Sequence, residues 1–214
     1  MLKNLTYGSL STRAAHAGIL ASVLFFGSPP NLGDSKRPLT ECERVAAWVS
    51  ANRAHLPTDL AGLSTYSRSY RQGIFRALPP TVKAELWREQ LEAYAADGTL
   101  TQAQRKYIAN LVPELGELMT ERLTKEQTTQ YETRILGLFD RRLASRVFAN
   151  LGTPSPLLES ATSSTCGCNQ SSAFSCTTIT GPDEECAAVT CDSTSWGCGF
   201  LWLWSCDGQC RAKE

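Results

Sequence analysis

From residue 40 onward, apolar residues recur every three or four positions, the spacing that lines one face of a helix. Val45, Trp48 and Val49 make the first stripe, and Thr40 and Glu43 stand at its start as a capping box. The pattern predicts a helix over about 40–54, ended by Leu56-Pro57. A second is expected near 64–77, carrying Tyr66, Tyr70, Ile74 and Phe75 on one side and stopped by Leu78-Pro79-Pro80. Those prolines suit the first turn of the next helix, where an amide has no partner anyway. That helix has Val82, Leu86, Trp87, Leu91 and Tyr94 as its stripe and ends at Asp97-Gly98. Thr101 and Gln104 open another, with Tyr107, Ile108, Leu111 and Val112 apolar; Pro113 interrupts it before Leu115, Leu118 and Met119. Thr124 and Gln127 cap a long final helix whose stripe runs through Tyr131, Ile135, Leu138, Phe139, Leu143, Val147 and Phe148 until Gly152, Pro154 and Pro156. Strand signals are absent across this region. It reads as a mainly α domain, a bundle of four to six helices over residues 31–151.

After residue 151 the periodicity disappears. Residues 152–165 are rich in Pro, Ser and Thr, with Glu159 as the only charge. By composition this is an exposed connector, the kind of segment where proteases cut most easily. Residues 166–214 are polar and small, relieved by one apolar burst, Phe200-Leu201-Trp202-Leu203-Trp204. Such a segment has too little apolar surface to fold by burial alone, so it needs staples. Eight of the nine cysteines lie here: Cys166, Cys168, Cys176, Cys186, Cys191, Cys198, Cys206 and Cys210. Their even number fits four disulfides with the connectivity open. Cys166 and Cys168 flank one residue, so each is expected to reach a distant partner. There is no C-x2-C pair and no His after His55, so structural zinc is not expected. Short strands are expected at 175–180 and 199–205, with turns at 181–183 and 207–208, giving a small, disulfide-rich, irregular or short-β module.

Charge refines this division. The chain has 21 basic and 21 acidic residues, which excludes a global field for nucleic acid. Residues 31–151 carry 17 Lys/Arg against 14 Asp/Glu, whereas residues 152–214 carry 2 against 7. At the N-terminus, Lys3 and Arg13 precede the apolar run Ile19–Phe26, and Pro29-Pro30 follows. Residues 1–30 therefore resemble an export signal rather than a membrane span, which needs about 20 apolar residues. Export to an extracellular or periplasmic compartment agrees with cysteine richness, because disulfides persist where the surroundings oxidise.

No constellation for catalysis stands out, and no cofactor is implied. His16 and His55 are the only histidines. His55 near a helix end and the acidic face of Glu85, Glu89 and Glu92 read as solvated surface. Cys42, in the first turn of a predicted helix, has no histidine nearby in sequence to activate it. In an extended strand, Phe200, Trp202 and Trp204 would share one face and Leu201 and Leu203 the other. A small module has little interior to hide all five. Phe200, Trp202 and Trp204 are therefore expected to contact a membrane or other target; alternatively the burst forms the module's own core or packs on the helices.

The segment from Thr165 to Cys210 resembles fulvocin C and its relatives, small disulfide-bonded bacteriocins. The shared features are Cys166-Gly167-Cys168, the step Cys176-Thr177-Thr178, and Gly197-Cys198-Gly199 followed by an aromatic-rich stretch and a further cysteine. The Cys176-to-Cys186 interval, with its Asp183-Glu184-Glu185 run, is longer here, and the last pair is C-x3-C. The resemblance implies a secreted antibacterial peptide made as a precursor: an export signal, a helical pro-domain, and a module released by a processing protease toward a bacterial membrane or cell-surface target. An uncleaved secreted or envelope interaction protein, with the module as a binding domain, is the alternative.

Overall fold

The computed structural model describes residues 39–152, 167–174, 176, 184–188 and 197–212. The signal-like segment 1–30, residues 153–165 of the connector, Cys166, Cys191, the turn at 181–183 and the expected strand at 175–180 (Cys176 apart) lie outside them.

The three capping boxes read from sequence all form. Thr40 pairs with Glu43, Thr101 with Gln104 and Thr124 with Gln127, each side chain serving the other residue's amide. These boxes open helices α1 (Glu41–Ala51), α5 (Gln102–Leu111) and α7 (Lys125–Leu136). Between α1 and α5 lie α2 (Leu60–Leu63), a single turn capped by Asp59, then α3 (Arg68–Ala77) and α4 (Pro80–Ala96). Pro113 converts the end of α5 into a 3-10 turn, Val112–Glu114, before α6 (Leu115–Thr120).

The long final helix is instead two, α7 and α8 (Arg141–Phe148). Asp140 accepts a hydrogen bond from the Leu143 amide at 3.0 Å. It can cap a new helix only from a non-helical backbone, so the continuous stripe breaks at Gly137–Asp140. The break lets Phe139 enter the core, 3 % exposed, while Leu138 turns outward, 41 % exposed.

Helix α4 is the spine. It packs against α2, α5, α6 and α8, and buries Leu86, Trp87 and Leu91. α1 lies against α3. Among the described residues, the cysteine-rich stretch adds two small antiparallel ladders. Strand β1 (Glu184–Ala188) pairs with β4 (Gly208–Ala212), placing Cys186 opposite Cys210, and β2 (Gly197–Cys198) pairs with β3 (Trp204–Ser205). Three disulfides form among the described residues: Cys168–Cys186, Cys176–Cys210 and Cys198–Cys206. The first two lie side by side, with the sulfurs of Cys168, Cys176 and Cys186 within 4.8 Å of one another. All three atoms are committed to disulfides, which leaves no thiolate to hold a metal. Gly208 is the backbone against which these bridges rest, since a Cβ there would strike Cys186 Sγ.

The architecture is therefore mainly α, with a short-stranded disulfide-rich end. Its two parts are not separate in space. The described residues all fall in one compact unit. Phe174, Phe200, Leu201 and Trp202 join the same buried cluster as Trp87 and Phe148. Three disulfides mark an oxidising environment. No helix among the described residues is long and apolar enough to cross a membrane.

Tyr107 sits edge-on to Phe139 and Phe148, with ring centroids 6.2 and 6.1 Å away. Burial, reinforced by the nearby Tyr131 phenol, pushes its hydroxyl up to about 12 from an ordinary value near 10. The folded state thus holds this proton more tightly than the unfolded chain. The stabilisation is intact below pH of about 10 and is lost as pH rises toward about 12. Alkaline titration at 295 nm is expected to show a late-ionising tyrosine that Tyr107→Phe removes, with a smaller fall in stability across that window.

Candidate functional site: a buried aromatic turn and its carboxylate

The strand expected at 199–205 forms only at its end, as β3 (Trp204–Ser205), and most of the apolar burst is not extended. Phe200–Trp202 makes a 3-10 turn between β2 and β3, held by Trp202 N donating to Gly199 O at 3.1 Å and Leu203 N to Phe200 O at 2.9 Å. Cys198–Cys206 closes a loop of sequence separation 8, so the chain must reverse within it. Reversal requires unusual backbone angles. Gly199 has φ 67°, Leu201 48° and Trp202 57°. Glycine occupies this left-handed region freely, but for Leu and Trp it costs roughly 1–2 kcal/mol per residue.

The turn points into the helices. Phe200 and Leu201 are 0 % exposed and Trp202 is 4 %. In the intact chain the burst takes the alternative of packing on the helices: Phe200 and Trp202 face the core, and Trp204 is half-buried at its rim. The Trp202 ring meets Phe75 at 5.2 Å and Trp87 at 6.0 Å, both edge-on, and its indole N–H donates to Ala149 O at 2.9 Å. Phe200 stacks on Tyr131 at 5.0 Å. Burying side chains of this size favours the arrangement by roughly 1.5–3 kcal/mol each, which outweighs the cost of the left-handed backbone.

One charged group organises the contact. Glu132 of α7 is 0 % exposed. Its Oε1 accepts from Ser172 Oγ at 2.6 Å, Trp204 Nε1 at 2.8 Å and Phe200 N at 3.2 Å; its Oε2 accepts from Ala173 N at 2.7 Å. Every donor belongs to the cysteine-rich stretch. Hydrogen bonds to a charged acceptor contribute roughly 1.5–3 kcal/mol each. Taking a carboxylate out of water costs several kcal/mol. The two terms oppose each other, and the four directed bonds fix the position of the cysteine-rich stretch against α7.

Other helical side chains complete the joint by serving backbone groups. Gln72 Nε2 donates to Gly197 O at 2.8 Å, and Arg68 to Gly167 O at 3.3 Å. Arg71 donates to Leu151 O and Gly152 O, at 2.9 and 2.8 Å. Gln90 donates to Val147 O and Asn150 O, both at 2.9 Å, and accepts from Gly152 N at 2.7 Å. Cys42 and Val45 of α1 are buried against Cys198 and Cys206.

The remaining sequence candidates stay apart from this site. His55 is exposed at the end of a 3-10 turn, and Glu85 and Glu92 are exposed. Glu89 accepts from the Leu60 amide at 3.1 Å, a structural contact. Glu132 was not legible as a node, although a signal existed. It occupies the inward stripe Thr128–Glu132–Ile135 of α7, where an apolar residue is the norm.

Trp202→Ala is expected to destabilise the oxidised chain by about 3–5 kcal/mol in denaturant unfolding, as for a large core aromatic. A loss below about 1 kcal/mol would remove Trp202 from the core.

Compared with protein-family models, curated proteins and solved structures, the chain matches none.

Proposed function

We propose that this chain is the precursor of a secreted, disulfide-stapled antibacterial peptide of bacteriocin type, and that its helices act as a pro-domain masking the peptide's apolar tip. One observation carries the reading: Phe200, Leu201 and Trp202, the residues best suited to touch a membrane or receptor, are sheathed by α3, α4, α7 and α8. Without the helices, this turn and Phe174 would lie open on a module whose shape its own disulfides keep. The resemblance of Cys166–Cys210 to fulvocin-C-related peptides and the signal-like residues 1–30 support the same reading. The role is masking and release rather than catalysis. Its partners are a processing protease and a bacterial membrane or cell-surface target.

The shared core adds a condition. Cutting the connector at 153–165 removes a covalent tie but leaves the aromatic turn and the Glu132 hydrogen bonds in place. Arming the module therefore takes a second step, removal of the helices from the turn.

A second reading, an uncleaved interaction protein of the envelope, is favoured by the single compact unit that holds the described residues. Proteolysis of the oxidised full chain separates the two. On the precursor reading, the cut chain still migrates as one species, and it inhibits bacterial growth only after the cysteine-rich fragment is separated from the helices. An oxidised, separated fragment that is inert against bacteria sinks the precursor reading. A connector that stays intact in the exported protein selects the second.

A further inference from the structure

The left-handed turn and the buried carboxylate belong to one device. We propose that Glu132 is the latch of an autoinhibitory contact: it holds the Gly199–Trp202 turn in its inward conformation, and losing this acceptor frees the turn while the rest of the fold persists. The biological meaning of the latch rests on the precursor reading; its physical basis does not.

Four features carry the inference. First, one carboxylate accepts from both the turn and the strand that follows it: Phe200 N in the turn and Trp204 Nε1 at the start of β3, whereas Gln72 holds the Gly197 carbonyl of β2. Ser172 and Ala173, which back the turn, hang on the same carboxylate. Removing one group therefore orphans four donors at once. Second, the turn has two internal hydrogen bonds, but its left-handed backbone at Leu201 and Trp202 is not one that L residues adopt unaided. It is held from outside, by Glu132 at the Phe200 amide and by Ala149 O at the Trp202 indole. Third, the Cys198–Cys206 bridge closes the base of the turn, so the tip can rearrange without unravelling the module. Fourth, Trp204 lies at the half-buried rim, where an opening turn first meets solvent. An amide cannot replace the carboxylate: it offers one acceptor oxygen and sets an NH2 group against donors.

The test uses the oxidised full chain and Glu132→Gln, followed by hydrogen exchange read peptide by peptide. The expected result is exchange about tenfold or more faster in residues 199–204, with α4 still protected, the pattern of local rather than global opening. Unchanged exchange in 199–204, or uniform acceleration through α4, overturns the latch and leaves Glu132 a general core residue. If Glu132→Gln does not fold, Trp204→Phe removes a single rim donor. It must then give the same local pattern at smaller amplitude, and its failure to do so overturns the proposal equally. A parallel arm with neutral phosphatidylcholine vesicles bears on the precursor reading alone. A variant that opens locally yet ignores vesicles leaves the latch standing and counts against the membrane-directed role.

Discussion

A carboxylate with no water around it must find hydrogen-bond donors in the protein, and the donors that Glu132 finds all lie in the cysteine-rich stretch. That requirement fixes how the two halves of the chain meet. It is also one instance of a wider division of labour. The described residues of the cysteine-rich stretch have little regular structure, so many of their backbone amides and carbonyls lack ladder partners, which burial would make costly. Helical side chains supply them. Gln72 reaches Gly197 and Arg68 reaches Gly167, while Arg71 and Gln90 perform the same service at Leu151–Gly152, where the chain leaves the helices. Side chains of one half thus substitute for the secondary structure missing in the other.

Covalent and non-covalent forces hold different things. The three described disulfides join cysteine-rich residues to one another and none joins that stretch to a helix. They restrict the module's own unfolded states. Attachment to the helices relies on aromatic packing around Trp202 and on the Glu132 node. Reduction and dissociation are accordingly separate events: one loosens the module's shape, the other its place.

The helices were largely legible in the chain because their signals are local. Capping boxes depend on residues three positions apart, and all three formed where Thr40, Thr101 and Thr124 placed them. Pro113 disrupted its helix where a missing amide and fixed φ require. The long stripe through Tyr131 and Phe148 misled because α7 and α8 keep a common inward face across the Asp140 break. The aromatic burst was harder. Five alternating apolar residues carry a period-two signal only if the backbone is extended, and the Cys198–Cys206 closure that forbids extension was one of many pairings open to eight cysteines. Whether Phe200 and Trp202 are buried depends on Phe75, Trp87 and Tyr131, residues far away in the chain. Glu132 was hidden for the same reason, since a glutamate on a helix usually faces water.

The single core shared by helices and module has a consequence for quantity as well as structure. In the intact chain the contact around Trp202 is intramolecular, and dilution cannot weaken it. Once the connector is severed, the same contact joins two molecules and obeys mass action. A cut protein held at high concentration stays paired; the same protein released into a large volume comes apart. For a chain cut there, the strength of one buried joint would set the concentration at which the halves part.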